Sequence, residues 1–507
     1  MFSLETLVIL VCVCIAYFAY RSSFQLRNPL PPGPKGLPLV GSALDVPEKF
    51  SWLKFREWSH QYGSFYSLNL FGKTMIIISS PKILSEFTEK RHLNYSERPK
   101  LPMAVDLVGY DETTVFMPTN LMWKEHRRNY SKLFGTRAAM EKFFEMEVLG
   151  ARRMMRAILN DPTGLAGSIR HWTTSLSLKI TYGYETKPGN DDLISLADTV
   201  LRQFTHTQKP GAFMVDLVPS LKYLPAWFPG SGFKRTAELY RNDFHEMMDV
   251  PFNMVQEQLK KGVAKQSFTT DLLSAEDYSA DKSYALKTSA VTIYGAAADT
   301  TAGQYHGLLV LMMLYPEVRK KAQQELDRVV GPDRLPDYSD RDRLPYLEAC
   351  ISEAMRLHVV TPLGGMRAAA KDDIYDGFFI PKGTLIQPNI WQMAHDPEVY
   401  EDPMEYIPER WLVQNPPLHP HDGICFGSGR RICPGIVLAE STVFIGAAMF
   451  LSLFDIYAVE GSPKFFDQSE NGILDGETIC HPKPFKSGIK PRSAKAEALI
   501  KSIDHEL

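Results

Sequence analysis

The sequence predicts a mainly α-helical domain with a small β region, preceded by an N-terminal membrane anchor. Three observations carry this prediction. Helical periodicity runs through most of residues 137–315, broken at prolines, and returns in the apolar stretch Ile436–Phe454. Segments with strand-like composition at Ser67–Leu70 and Thr74–Ser79 flank a turn. The chain opens on an apolar run, Leu4–Tyr20.

Composition excludes several classes of protein. The chain has 507 residues, 44% hydrophobic and 23% charged, which is ordinary for a globular protein with a substantial core. A net charge of −3 gives no reason to expect a nucleic-acid partner. No C-x-x-C pair occurs, so neither a disulfide framework nor a zinc site is predicted, and a reducing compartment is expected. The cysteines are Cys12, Cys14, Cys350, Cys425, Cys433 and Cys480.

Residues 1–22 are predicted to form a transmembrane signal anchor. The apolar run is at the short end for a membrane span. Arg21 and Arg27 follow it, which by the positive-inside rule places the rest of the chain in the cytosol. The alternative is a cleaved signal peptide, but such a peptide normally carries positive charge before its apolar run. We therefore expect a single-pass protein of the endoplasmic reticulum membrane.

A basic and proline-rich hinge is predicted over residues 23–38, and a single domain over residues 39–507. The hinge contains Pro31-Pro-Gly-Pro-Lys-Gly-Leu-Pro38, which cannot extend a helix and has little to bury. We therefore expect a stiff linker between anchor and domain.

Local patterns predict further elements of the domain. Trp52–Tyr62 has the pattern of an amphipathic helix, whereas Leu101–Pro118 has no clean period and is predicted to be a loop. Ile374–Phe379 and Thr384–Asn389 are predicted to be short strands. The polar end of the chain, Lys490–Leu507, is expected to be a surface tail.

Trp123 and Arg127 lie four residues apart in the segment Leu121–Arg128, so on a helix they share a face and can bind one anionic group. Lys124 and Arg128 then fall on a neighbouring, solvated face. The alternative is a basic surface helix with one aromatic residue.

Ala296-Ala-Ala-Asp-Thr-Thr301 lies inside the predicted helix Thr288–Tyr315. A charged Asp299 in an apolar helix is costly unless it is paired or hydrated. Its small neighbours leave room for water or dioxygen beside the backbone. A buried aspartate capped by Thr300 is the alternative interpretation.

Glu353 and Arg356 are three residues apart in the predicted helix Asp342–Leu357 and can pair on one face. Such pairs are common on surface helices, so this one carries little information alone. Arg410 follows downstream in Pro408-Glu-Arg-Trp411.

The most informative motif is the loop Phe426-Gly-Ser-Gly-Arg-Arg-Ile-Cys-Pro-Gly435. It places Cys433 just before the apolar helix predicted from Ile436, where backbone N–H groups and the positive helix end stabilise a thiolate. Phe426 can cover one side of the sulfur, and Arg431 can meet an anionic group of a cofactor. A structural cysteine in a glycine-rich turn is the alternative.

The spacing Phe-x-x-Gly-x-Arg-x-Cys-x-Gly resembles the haem-thiolate signature of the cytochrome P450 family. The other motifs follow in that family's order over nearly the whole chain. This resemblance implies the mainly helical P450 fold, with one catalytic domain on a membrane anchor and haem b as cofactor. The sequence, including Leu221-Lys-Tyr-Leu-Pro-Ala-Trp-Phe-Pro-Gly230, looks most like fungal secondary-metabolism members.

The resemblance also implies residue roles. Cys433 would be the axial ligand of the haem iron, and Asp299 and Thr300 the acid–alcohol pair that delivers protons. Ala297 stands where the family often has glycine, which leaves the local shape of that helix open. The haem would be bound by Cys433, Trp123, Arg127, Arg367, Phe426 and Arg431. A structural ion-pair network would join Glu353, Arg356 and Arg410.

The implied function is a monooxygenase that inserts one oxygen atom of dioxygen into a hydrophobic small molecule, such as a terpenoid, in fungal secondary metabolism. Electrons would come from NADPH–cytochrome P450 reductase, with cytochrome b5 as an optional second donor, on the face bearing Lys124, Arg128 and Arg430. A reductase-independent haem-thiolate isomerase or dehydratase, which usually lacks the acid–alcohol pair, is one alternative. A non-catalytic haem sensor is another.

Substrate contacts are expected from Leu101–Phe116, Ala296–Thr300 and Val359–Met366, which are mostly apolar. An aromatic amine or a polyketide remains an alternative to a terpenoid. Leu221–Gly230 either packs on the core as a loop or covers the substrate entrance and dips into the bilayer.

Overall fold

A computed structural model describes residues 29–502 of the chain, apart from residues 188, 210, 277, 470 and 477. The predicted anchor over residues 1–22 and the first part of the predicted hinge lie outside the described residues.

Helices dominate the described chain, as predicted. Shorter helical turns connect the longer helices. The longer helices are α1 (Ser51–Tyr62), α2 (Leu121–Phe134), α3 (Arg137–Asn160), α4 (Leu165–Tyr182), α5 (Asp192–Gln208), α6 (Gly232–Lys260), α7 (Ser283–Leu314), α8 (Pro316–Val329), α9 (Pro345–Leu357), α10 (Ile436–Leu453) and α11 (Ala494–Ser502). The shorter α-helices are Pro81–Ser85, His92–Tyr95, Met214–Leu217, Phe268–Leu273 and Ile390–Ala394.

In the described part of the chain, the β region consists of one four-stranded sheet and two separate pairs of antiparallel strands. In the sheet the strand order is β1-β2-β6-β3, with β2 and β6 parallel and the other neighbours antiparallel. Strands β4 and β5 pair with each other, and so do β7 and β8. The strands are β1 (Phe65–Leu70), β2 (Lys73–Ile78), β3 (Arg367–Ala368), β4 (Asp373–Tyr375), β5 (Phe378–Ile380), β6 (Leu385–Pro388), β7 (Phe454–Tyr457) and β8 (Gly488–Pro491).

Helix α7 organises the core. It contains no proline and ends at Leu314, and Pro316 begins the next helix. Its first half contributes Leu286 and Tyr294 to one apolar cluster, and its second half contributes Tyr305 and Leu309 to another. The polar motif at residues 296–301 lies between these two clusters, so the site sits where the two parts of the core meet.

Helix α10 is apolar on nearly all sides and buried against α3, α7 and α8. Among the described residues it is the one helix long and apolar enough to span a membrane. Since 72% of that helix is buried inside the domain, we assign it to the core.

Three local predictions were wrong in part. Within Leu101–Pro118, Pro102–Val108 is helical and buries Met103 and Val108 against α6, so it is more than a loop. Ile374–Phe379 is a β4–β5 hairpin rather than one strand, because Asp376 and Gly377 adopt positive φ and turn the chain.

The predicted surface tail also contains regular structure. Strand β8 pairs with β7, and α11 buries Ile500 against the core. The polar composition of this segment concealed a single apolar face, which is what holds it to the domain.

The described part of the hinge is attached to the sheet. The Ser67 hydroxyl donates to the Pro31 carbonyl at 2.6 Å, and the Ser67 N–H donates to the Pro32 carbonyl at 2.8 Å. A Cβ on Gly33 would come within 1.8 Å of the Ser67 oxygen, so only glycine allows this approach. The end of the hinge therefore has a fixed starting point on β1.

Candidate functional site

A cavity of about 400 Å³ lies beside α7 and is bounded mainly by apolar side chains. It brings together residues that are far apart in the sequence, and most of the predicted site residues border it. Those residues are Asp299, Thr300, Arg367, Phe426, Arg431 and Cys433. The expected substrate-contacting segments border it through Tyr110, Val115, Ala296 and Val359.

The cysteine loop is held in shape by close backbone contacts. The Cys433 N–H donates to the Phe426 carbonyl at 2.9 Å, which closes the loop. Gly429 has a φ of 60°, and a Cβ there would lie 2.0 Å from the Thr88 carbonyl oxygen. The Ser428 and Thr88 hydroxyls share a hydrogen bond of 2.7 Å. The loop is therefore fixed against the segment that contains Thr88.

The surroundings of Cys433 fit a ligand sulfur. Burial raises the pKa of the thiol above its ordinary value, and the Gly435 N–H and the Arg127 guanidinium offset part of that rise. Cys425 also borders the cavity, but burial raises its pKa to about 12 and its thiol lies 3.6 Å from the Met355 carbonyl. Of these two cysteines, only Cys433 has a backbone N–H and a cation that favour the thiolate together.

Four arginines converge beside the loop, and each one donates to backbone carbonyls. Arg431 donates to the carbonyls of residues 96, 114 and 117, and Arg127 Nη1 donates to the Ile432 carbonyl at 2.7 Å. Arg367 Nη2 donates to the Ser428 carbonyl at 2.8 Å, and Arg98 Nη1 to the Met366 carbonyl at 2.6 Å.

This cluster is built to hold an anion. Burial, followed by neighbouring arginines, lowers the pKa of Arg98 and of Arg431 to about 9 and that of Arg367 to about 10. The hydrogen bonds described for these groups go to neutral carbonyls. The buried Nε of Arg98 and Nε1 of Trp123 have no hydrogen-bond partner among the described residues. A group carrying two carboxylates would satisfy these donors and cations.

Arg98 is the residue of this cluster that the sequence analysis missed. It stands in Ser96-Glu97-Arg98-Pro99, outside any helix or strand, so no periodicity marks it. Only the fold brings it to Arg367 and Arg431.

Asp299 is ion-paired on the inner face of α7. Its Oδ1 accepts from Arg170 Nη2 at 3.1 Å and lies 3.1 Å from His481 Nε2. Arg170 also donates to Asp198 at 2.9 Å. Burial alone would raise the pKa of Asp299, but His481 and Arg170 outweigh burial and hold the pKa below its usual value. The carboxyl group is therefore ionised at neutral pH.

Thr300 lies next to this acid and also borders the cavity. Its hydroxyl donates to the Ala296 carbonyl at 2.8 Å, and the helix continues without a break through Ala297.

Glu353, Arg356 and Arg410 form one buried network. Arg356 donates to both oxygens of Glu353, at 2.8 and 3.0 Å, and Arg410 Nε donates to the same carboxylate at 3.0 Å. Trp411 Nε1 and the Ile407 N–H complete its shell. The Glu353 and Arg356 side chains are fully buried, so their charges depend on each other.

The fold, the fixed cysteine loop and the cation cluster define a haem-thiolate protein, and the chain belongs to the cytochrome P450 family, whose model matches residues 31–486. It is 39% identical to cytochrome P450 monooxygenase 208 of Postia placenta, over 99% of this chain and 98% of that protein. It is 36% identical to cytochrome P450 monooxygenase claR of Ampulloclitocybe clavipes, over 97% of this chain and 92% of that protein.

A third relative, cytochrome P450 monooxygenase ppsD of Aspergillus oryzae, is 36% identical over 97% of this chain and 94% of that protein. The chain is therefore an oxidoreductase of the P450 monooxygenase family, and its cofactor is haem.

Proposed function

We propose that this protein hydroxylates a hydrophobic small molecule in fungal secondary metabolism, with electrons from NADPH delivered by a separate reductase. The observation that carries the proposal is one apolar cavity bordered by Cys433, by the acid–alcohol pair Asp299–Thr300 and by three arginines of the cluster, Arg98, Arg367 and Arg431. Apolar walls favour an apolar substrate, and a terpenoid fits them better than a charged metabolite does.

Haem would be held by Cys433 as the sulfur ligand of its iron and by the arginine cluster, with Trp123, at its two carboxylates. Bound haem supplies the iron at which dioxygen is bound and reduced. Phe426 borders the cavity beside the sulfur. Burial raises the pKa of Cys433, and the Gly435 N–H and Arg127 offset part of that rise, so they favour the thiolate form that a ligand requires.

Asp299 and Thr300 would handle protons at the cavity wall. Both described contacts of the Asp299 carboxylate use Oδ1, which leaves Oδ2 to exchange a proton with water. The Thr300 hydroxyl accepts from that water while donating to Ala296. The pair thus orders water between a buried acid and the cavity.

Thr300→Ala removes the hydroxyl that orders this water, so reduced dioxygen should escape as hydrogen peroxide. We expect NADPH consumption to persist while product per NADPH falls by about tenfold or more, because a positioned proton-transfer group typically contributes about 10²–10⁴-fold to the step it serves. Asp299→Asn should instead slow turnover itself. Assays that measure NADPH consumed, product formed and hydrogen peroxide released separate the two effects. Unchanged coupling in Thr300→Ala would contradict the assignment of the alcohol.

The proposed reductase face lies on the outer side of the cysteine loop. Lys124 and Arg128 on α2 and Arg430 in the loop are exposed there. Arg127 connects α2 to the loop by donating to the Ile432 carbonyl. Arg128 also pairs with Glu125, so Lys124 and Arg430 carry more of the uncompensated charge. An acidic flavoprotein surface would complement this face, and cytochrome b5 would compete for it.

The proposed membrane surface is made of exposed apolar side chains from several segments. Trp227 is 81% exposed and Leu39 93%, and Phe228 and Met214 are exposed as well. The Leu221–Gly230 segment therefore does not bury its aromatic residues in the core. Exposed tryptophan and leucine on one surface are typical of an interfacial contact.

Two contacts join these apolar segments into one surface. The Phe71 N–H donates to the Val40 carbonyl at 3.1 Å, which links the Leu39 loop to the β1–β2 turn. Lys73 Nζ donates to the Asp216 carbonyl at 2.9 Å, which links that turn to the helix containing Met214. We infer that this surface rests on the endoplasmic reticulum membrane beside a single-pass anchor.

The sequence contains two glycosylation sequons, Asn94-Tyr-Ser96 and Asn129-Tyr-Ser131, but they do not test this topology. Asn94 and Asn129 are both buried and hydrogen-bonded, to the Lys371 carbonyl and to Ser289 respectively. A glycan has no room at either asparagine in the folded domain.

An added sequon in an exposed turn does test the topology. Gly262 is exposed with a φ of 68°, which asparagine tolerates, so Gly262→Asn with Ala264→Ser creates an acceptor site there. We expect no glycan on the membrane-bound protein. The same variant behind a cleavable signal peptide serves as the positive control. A glycosidase-sensitive mass shift in the native-anchor form would place the domain in the lumen and exclude a cytosolic reductase.

A further inference from the structure

The C-terminal hairpin of residues 474–476 and 478–482 connects the cavity to Asp299. Leu474 and Pro482 form its β-bridge, and Asp475 and His481 exchange hydrogen bonds across it at 3.0 and 3.1 Å. At its tip, Thr478 and Ile479 border the cavity. One short element therefore carries both substrate-facing side chains and a histidine.

The backbone on either side of His481 is fixed to the core. The Cys480 N–H donates to the Val360 carbonyl at 2.7 Å, and the Cys480 carbonyl lies 3.1 Å from His358 Nε2. Gly303 on α7 faces the imidazole, and a Cβ there would lie 3.2 Å from His481 Cε1. The missing side chain at position 303 is what lets the ring approach α7 so closely.

His481 and Arg170 hold the same oxygen of Asp299 from two different elements. The His481 contact is at ion-pair distance rather than an aligned hydrogen bond, so a small movement of the hairpin changes it. Arg170 is held in turn by Asp198 on α5. Of the two groups that contact Oδ1, only His481 belongs to an element with side chains in the cavity wall.

We propose that His481 is a positioning residue for proton delivery, which sets the orientation of the Asp299 carboxylate. Through the hairpin, this orientation depends on whether substrate contacts Thr478 and Ile479 in the cavity. This inference rests on the proposed function of the Asp299–Thr300 pair. A substrate that fills the tip holds the hairpin in place, and His481 then keeps Oδ1 turned inward and Oδ2 free to exchange a proton. A substrate that displaces Thr478 or Ile479 from the cavity wall releases this constraint.

His481→Leu in the haem-loaded protein tests the positioning role, with His481→Gln as the conservative variant. His206→Leu is the matched control, because His206 is a partly buried histidine whose ring bonds Tyr240 instead. The protein is supplied with reductase and NADPH but no substrate, and the share of NADPH electrons that reduces dioxygen to water is measured. We expect this share to fall about threefold in His481→Leu, a size typical of the coupling between residues in direct contact. His481→Gln, which retains an N–H donor, should recover most of the loss.

A second readout does not depend on turnover. The C–O stretching band of the reduced carbon monoxide complex reports on the polar groups around the cavity. Asp299→Asn should shift this band, His481→Leu should shift it in the same direction, and the double variant should shift it no further than Asp299→Asn does. Equal and additive shifts, or a silent His481→Leu, would overturn the positioning role.

Ile479→Ala tests the link to the cavity. It should move the band in the wild-type background and have a smaller effect when His481 is leucine; an equal effect in both backgrounds would overturn the link.

The failure of this inference can be told apart from the failure of the proposed function. If Asp299→Asn and Thr300→Ala leave the share of electrons that reduces dioxygen to water unchanged, the proposed function fails. If those two variants change that share while His481→Leu does not, only this inference fails.

Discussion

Replacing Cys433 by alanine is expected to abolish the strongly red-shifted Soret band that the reduced protein gives with carbon monoxide. That band requires a thiolate on the haem iron, and Cys433 is the cysteine whose thiolate is favoured by both a backbone N–H and a cation. Monooxygenase turnover should be lost with it. Difference spectra of the purified variant measure the effect directly.

Cys425→Ala is the matched control, since Cys425 borders the same cavity from the same loop region. Its pKa of about 12 keeps it a neutral thiol, so its removal should leave the band in place. Loss of the band in Cys425→Ala but not in Cys433→Ala would show that the wrong sulfur has been assigned.

Replacing Glu353 by alanine is expected to have the largest effect on stability. The change leaves Arg356 and Arg410 buried without the carboxylate that both contact. Breaking a buried network of this kind costs about 3–5 kcal/mol, a large part of the stability of most domains. We expect little folded, haem-containing protein, measured as haem per polypeptide and as the midpoint of denaturant unfolding.

Glu317→Ala provides a matched control with the same spacing. Glu317 pairs with Lys320 three residues on, but the two side chains are 77% and 60% exposed. Such surface pairs contribute about 0–1 kcal/mol, so this variant should unfold near the wild-type midpoint. If the two variants had the same unfolding midpoint, burial would not explain the contribution of the Glu353 network to stability.

The sequence predicted those parts of the site that depend on local spacing. Cys433 and its glycines lie within one loop, Trp123 and Arg127 within one helix, and Glu353 and Arg356 within another, so periodicity alone could group them. It also indicated that Asp299 needs a partner, because an isolated charge in an apolar helix is costly.

The partners themselves are set by tertiary structure. Arg98, Arg170 and His481 come from a loop, from α4 and from the C-terminal hairpin, and no motif connects them in sequence. Pairing between distant strands could not be predicted either, since β6 joins β2 in parallel across about three hundred residues. Short strands carry too little pattern to specify such a partner.

Monooxygenation is tested most directly by comparing membranes from fungal cells with and without this protein, supplied with a total metabolite extract and isotopically labelled dioxygen. We expect a new apolar product that carries one labelled oxygen atom and forms only when NADPH and reductase are both present. A product that forms without reductase, or that carries no label, would contradict monooxygenation and favour a haem-thiolate isomerase or dehydratase.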